Sequence, residues 1–291
     1  MQKYGYLNVF IAGVLWGSVG LFIDILNGMG VGVELIGFLR TAFSFLIMFS
    51  ITAFKYGIRA FRVSHRTLIL CILLGVLCHG VYNIFYNLSV IKIGVSLSAV
   101  LLNIAPVFTA VTSMIVFGEK MNRFKVFALI INVIGCTLVA TGGNFDVAAL
   151  SVLGIMCGVG AGFCYSLTSV IGRLSSDDSN PFVASTYSYL FAAIFFAAAL
   201  KPWHGLPSVN SEIMITGFLY ALIPTSIAYL LYYIGSTMIT ETSKVPIISS
   251  VESVVAILIG VILLNEHMNV TNVIGILLTF ASIILIQMKK K

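Results

Sequence analysis

Two ionisable residues stand where a chain this apolar rarely places them, Glu252 and Arg40. Glu252 sits in Val251-Glu252-Ser253-Val254, about seven residues into a long apolar run. A charge at that depth costs roughly 2.5–3.5 kcal/mol on insertion scales, so it faces a cavity or a partner. Two roles are open for it: a carboxylate that takes up and releases a proton, or a fixed, hydrogen-bonded or ion-paired one. Arg40 lies about six residues from the end of its own stretch. From there its stem can snorkel to the interface, or its guanidinium can turn inward. If both charges line one cavity, they can hold the carboxylate and the ammonium of a zwitterion. Paired with each other, they would latch a gate.

Polar and aromatic side chains share helical faces with these charges. His79, Tyr82, Asn83 and Tyr86 stand at i, i+3, i+4 and i+7, a single stripe on one helix. Thr225, Ser226, Tyr229 and Tyr233 repeat the idea later in the chain, with Tyr232 adjacent. Tyr165, Thr168 and Ser169, Trp16, and Tyr187 complete the candidate set. A mid-membrane tyrosine needs a partner for its hydroxyl, which turns these stripes toward the protein interior. Packing against neighbouring helices and lining a cavity both satisfy that need. Tyr4 and Tyr6, near a helix end, fit interfacial anchoring. His79 is a proton-relay candidate by its imidazole chemistry, or a neutral packing residue. Aromatic rings of this kind also suit quaternary ammonium ions, at about 0.5–2 kcal/mol per contact. Trp16, Tyr82, Tyr165 and Tyr229, with Glu252 as counter-charge, would make such a cage, and Arg40 argues against it.

The elements that position these residues follow from composition. Apolar residues make up 59% of the 291, charged residues 9%, and mean hydropathy is +1.09. Soluble domains carry about 25% charged residues, so this surface must face lipid. A spanning helix needs about 20 mainly apolar residues. Stretches of that kind run at 6–27, 34–54, 68–88, 95–117, 124–142, 151–171, 182–200, 213–234, 245–264 and 270–287. They are too uniformly apolar for the alternating strands of a barrel. The first stretch reads as a span rather than a signal peptide, since no small-residue cleavage site follows it. With the N-terminus inside, thirteen of the sixteen basic residues fall on the cytoplasmic side, as the positive-inside rule requires. Lys92 and Lys201 fall outside and Arg40 within a span, so both termini are expected in the cytoplasm.

The chain also matches itself at an offset of 147. Tyr82 falls on Tyr229, Tyr86 on Tyr233, Ser89 on Ser236 and Ser96 on Ser243. Gly118-Glu119-Lys120-Met121-Asn122 lies over Asn265-Glu266-His267-Met268-Asn269, and Tyr187 falls on Arg40. Five spans per half is an odd number, so the second half enters the membrane upside down, and in such proteins the substrate site lies near the midplane between the halves. The expectation is an all-α integral membrane protein of ten transmembrane helices in two inverted five-helix repeats, 1–147 and 148–291. Glu119 and Glu266, beside Lys120 and His267, read as gate or surface charges. Gly13-xxx-Gly17 and Gly158-xxx-Gly162 permit close helix approach. Pro106, Pro224 and Pro246 are bending points or static kinks.

The sequence resembles the EamA family of the drug/metabolite transporter superfamily. The residues that carry the likeness are Gly13-Val14-Leu15-Trp16-Gly17, Phe38-Leu39-Arg40, Ile104-Ala105-Pro106-Val107 followed by Phe117-Gly118-Glu119, and Val251-Glu252-Ser253-Val254 followed by Leu264-Asn265-Glu266. The family segment has a Leu-Glu-Pro-Val character; here the first half keeps the proline and the second the glutamate. The resemblance implies a ten-helix carrier in the inner membrane that moves amino acids, other small metabolites or drugs, and some members of the superfamily import choline. Efflux of an amino acid or related metabolite is the expected function, with a choline-like cation as the alternative. Trp16, Arg40, His79, Tyr82, Asn83, Tyr165, Tyr187, Tyr229 and Glu252 are the candidate substrate-binding residues. The expected partners are a small-molecule substrate, the lipid bilayer and a coupled proton, with no nucleic acid. No catalytic residue, cofactor or metal is expected: HExxH, GxSxG and Walker sequences do not occur. The five cysteines all fall in apolar stretches and read as small buried hydrophobes.

Overall fold

The computed structural model describes residues 2–143, 151–204, 210–263 and 267–287. The expected boundary at 147/148, the Leu264-Asn265-Glu266 segment and the terminal lysines Lys289–Lys291 lie outside the described residues. Among the described residues, ten helices are long and apolar enough to cross a membrane. In chain order they are α1 Gln2–Gly28, α2 Val33–Tyr56, α3 His65–Ile93, α4 Leu97–Phe117, α5 Arg123–Thr141, α6 Val152–Ser175, α7 Pro181–Leu200, α8 Ser211–Met238, α9 Thr242–Leu263 and α10 Val270–Gln287. Each coincides with one of the ten apolar stretches.

The halves pack in an inverted two-fold pattern. α1 lies on α8, and α6, its repeat mate, lies on α3. The second helices α2 and α7 pair, as do the last helices α5 and α10. The first helix of each half also reaches the fourth helix of the other: α1 touches α9, and α6 touches α4. Glycines make that crossing close. A Cβ on Gly13 would lie 2.5 Å from the Ser249 carbonyl oxygen, and one on Gly17 would lie 2.5 Å from Val255 Cβ. On the mirror side, a Cβ on Gly158 would meet Leu101 at 2.5 Å and one on Gly162 would meet the Leu101 carbonyl at 2.9 Å. Small residues at such crossings let backbones approach where lipid supplies no hydrophobic drive.

Five of the ten helices are interrupted, and four of the interruptions, in α3, α4, α8 and α9, obey the repeat. α4 breaks at Asn103–Ile104, just before Ala105-Pro106, and α9 breaks at Ser250, which is 147 residues on from Asn103. α3 widens into π-helical turns over Leu74–Val81 and α8 over Leu222–Ile227, positions that overlap at the same offset. Pro224 removes one backbone donor inside the second wide segment. Thr225 answers the loosened ladder by donating its Oγ1 to the Tyr220 carbonyl at 3.0 Å. α1 is also broken, at Gly17–Ser18, whereas its mate α6 runs straight through Val152–Asp178.

One end of the bundle carries Lys55, Arg59, Arg62, Lys120 and Lys244, and this basic end is closed. α4 stops at Gly118, whose left-handed backbone (φ 65°) turns the chain back. Glu119 therefore folds inward, its side chain only 6% exposed, and pairs with Arg173 of α6 at 3.6 Å. It also accepts from the Thr242 amide, from the Ser243 amide at 3.1 Å and from Ser243 Oγ at 2.5 Å. Arg173 in turn donates to Thr242 Oγ1 at 2.6 Å and lies 4.6 Å from the centre of the Phe117 ring. Beside it, Lys125 and Lys244 both reach Glu241 at 2.7 Å. Burial raises the Glu241 carboxyl, but these two ammonium groups outweigh it and hold it below its ordinary range. The surface-charge reading of Glu119 is thus replaced by a buried clasp between the halves.

Candidate functional site

The interrupted helices meet in mid-bilayer, where most of the candidate residues gather. Trp16 ends the first segment of α1, and its ring lies 4.7 Å from that of Tyr229 and 4.8 Å from that of Tyr232. Tyr82 directly follows the wide segment of α3, and Tyr229 comes two residues after that of α8. The wide turns shift the helical phase, so His79 parts company with the rest of its stripe. It is fully buried and packs on Tyr229 at 4.8 Å and Tyr189 at 5.3 Å. Tyr82 instead packs on Tyr165 at 5.4 Å and on Tyr86 at 6.1 Å.

Glu252 occupies the first turn of the inner segment Val251–Leu263, immediately after the break at Ser250. It stands eleven residues into α9, deeper than the apolar run suggested, since the helix begins at Thr242. The Tyr165 hydroxyl donates to its two carboxylate oxygens, each at 3.2 Å. The break itself is pinned by Asn132 of α5, whose amide donates to Ser250 Oγ at 2.6 Å and to Ser282 Oγ at 3.0 Å. Gly17 brings α1 to the same turn, a Cβ there lying 3.0 Å from the Glu252 carbonyl.

Arg40 enters from α2. Its Nη1 donates to the Tyr220 hydroxyl at 3.1 Å and its guanidinium carbon lies 5.5 Å from the centre of that ring. Among the described residues no ion pair joins Arg40 to Glu252, or either of them to any other charge. Both side chains are partly accessible, as are Tyr82, Tyr86 and Tyr165. Tyr229 and Tyr82, the repeat-related pair, each lie within electrostatic range of both charges. Several buried polar atoms around Tyr229 lack a partner: Trp16 Nε1, Arg40 Nε, both His79 ring nitrogens, Ser226 Oγ and the Tyr233 hydroxyl. Buried polar groups are satisfied in the great majority of cases, so such a concentration sets the surroundings of Tyr229 apart from ordinary helix packing.

Two candidates spend polar groups on backbone carbonyls instead. Tyr187 donates its hydroxyl to the Phe61 carbonyl at 2.8 Å and packs on Phe61, near the basic end. Tyr189, two residues on, is the tyrosine of α7 that joins the cluster, donating to the Thr225 carbonyl at 3.2 Å. The Asn83 amide is spent on the His79 carbonyl of its own helix at 2.6 Å. Tyr220 and Tyr189 escaped the reading of the sequence. The signal for each was only its place in mid-span, which the register match at Tyr187 outweighed. Among the described residues no group of three His, Cys, Asp or Glu side chains could hold a metal ion.

Ten apolar helices in inverted halves around a polar interior define a multi-pass membrane transporter. The model of the EamA-like transporter family matches twice, over residues 3–141 and 152–288, and the chain belongs to that family. It is 25% identical over 289 residues to an uncharacterized transporter of Archaeoglobus fulgidus, covering 98% of this chain and 96% of that one. It is 23% identical to the uncharacterized inner membrane transporter YicL of Salmonella typhimurium, covering 99% and 97%. A protein crystal structure shares the fold with a TM-score of 0.81 at 17% identity, covering 99% of this chain and 98% of the other.

Proposed function

We propose that this protein is a secondary carrier that moves a small amino acid or related polar metabolite by alternating access, with efflux as its direction. One observation carries the reading: opposite charges, Arg40 from the first half and Glu252 from the second, stand in mid-bilayer without ionic partners among the described residues, flanking Tyr82 and Tyr229. A buried charge left without a counter-ion costs several kcal/mol, which a solute carrying the complementary groups would recover. Residues 1–147 and 148–291 form the two moving units, and the clasp at Glu119 closes one end between them. The plasma (inner) membrane is the assigned location, supported by the name of the Salmonella relative. The basic end faces the cytoplasm, supported by its excess of Lys and Arg. Glu252, held by the neutral Tyr165 phenol, is the group through which a proton would couple.

A second reading is favoured by the rings of Trp16, Tyr229, Tyr82 and Tyr165, which would cage a choline-like cation with Glu252 as counter-charge. Proteoliposomes separate the two. Protein-dependent counterflow of at least one radiolabelled amino acid is expected from a panel of twenty. Counterflow of choline alone would replace the first reading by the second, and flux of neither would overturn both.

A further inference from the structure

Arg40 is the exception among the inward-placed cations of this protein. Lys125, Arg173 and Lys244, with side chains 5%, 18% and 20% exposed, each have a carboxylate within 4 Å. Arg40 has a phenol instead. The Tyr220 hydroxyl accepts from Nη1 at 3.1 Å, and Tyr220 is itself buried and stacked on Phe22 at 5.6 Å with the rings 14° from parallel. A phenol fixes the direction of a guanidinium without neutralising it. On the remaining edge the buried Nε donor has no acceptor among the described residues, which leaves it for a ligand. A guanidinium offers five donors in a planar fork that fits a carboxylate through two parallel bonds.

The neighbours share this polarity. Trp16 Nε1 can only donate, and it is buried and unpartnered. His79, fully buried, has both ring nitrogens unpartnered, one a donor and one an acceptor in the neutral ring, and lies within electrostatic range of Arg40. Arg40 and the two unpartnered side chains all border Tyr229, whereas the carboxylate of Glu252 is held by Tyr165. The solute that matches has an anionic end for Arg40 and a cationic end for Glu252.

We propose that Arg40 is the docking group for a carboxylate on the substrate and that Tyr220 is the positioning residue that aims it while leaving its charge uncompensated. The inference rests on the carrier reading above and narrows it: a carboxylate is obligatory, whether the solute is an α-amino acid or a betaine, whose quaternary ammonium would meet the aromatic rings. Amines and alcohols of the same shape are excluded.

Matched pairs test this. Each amino acid is compared with its amino alcohol, and glycine betaine with choline, which carries a hydroxymethyl group in place of the carboxylate. In a Trp203→Phe background Trp16 is the sole tryptophan, so its fluorescence reports binding at the site in detergent-purified protein. The expected result is that at least one acid binds and its alcohol binds 30-fold or more weakly. Tyr220→Phe, which removes one oxygen, is expected to weaken the acid about tenfold. It should leave alcohol binding where it was, a selectivity that general loosening of the fold would not produce. Alcohols binding as tightly as their acids, or Tyr220→Phe weakening both equally, would overturn the inference and leave a carrier of small amines standing. Silence across acids, alcohols and choline would overturn the carrier reading as well.

Discussion

Glu252 and Tyr165 form a minimal unit: one carboxylate, one phenol and two hydrogen bonds of 3.2 Å, with no cation in the set. Glutamine has the shape of glutamate and can still accept from Tyr165, but it neither titrates nor carries charge. Glu252→Gln is therefore expected to insert and fold normally, to lower counterflow at least tenfold, and to flatten its dependence on pH. Wild-type flux with the wild-type pH profile would remove Glu252 from the mechanism. The depth of this residue was legible from the sequence, because a lone carboxylate in an apolar run has few uses. Its partner was not. Tyr165 was one of several mid-span tyrosines, and only the crossing of α6 with the break in α9 singles it out. Tyr187 shows the reverse case: a register match to Arg40 selected it, yet its hydroxyl is spent at Phe61 and Tyr189 faces the cluster.

At the scale of elements, the ten spans were readable because each needs only length and apolarity. The breaks were not. Pro106 marks one and Pro224 marks a wide turn, but the interruption at Ser250 has no such sign and depends on Asn132, 118 residues away. The clasp at the basic end was hidden for the same reason, since Glu119 finds Arg173 and the start of α9 only after Gly118 turns the chain inward. Its energetic weight can be bounded. Exposed ion pairs contribute up to about 1 kcal/mol, and breaking a buried one costs about 3–5 kcal/mol. A pair this enclosed, with three added hydrogen bonds, falls between. Glu119→Gln is expected to cost about 1–3 kcal/mol and to lower the melting temperature of the purified protein in detergent. An unchanged melting temperature would mean that the network adds nothing to closure, and that the basic end is held by the apolar packing of α9 alone.

The whole molecule combines symmetric construction with an asymmetric state. The pairs of α1 with α8 and α9 have their mirrors in α6 with α3 and α4, yet α9 is unevenly packed along its length. Val245–Val251 is buried throughout, whereas beyond it only Val254 and Gly260 are buried among the described residues of that helix. The basic end carries the clasp at Glu119, and α9 is less enclosed by protein beyond Val251. Which compartment this state serves depends on orientation alone. If the basic end lies in the cytoplasm, the clasp is the inner closure. Lys92 and Arg62 are exposed at opposite ends, and the five native cysteines are buried, which keeps background labelling low. A cysteine at Lys92 should react with a membrane-impermeant maleimide in intact cells, and one at Arg62 only after permeabilisation. The opposite pattern would turn the molecule over. The clasp at Glu119 would then become the outer closure, and the charges in mid-bilayer would be reached from the cytoplasm, the side from which an exporter must load.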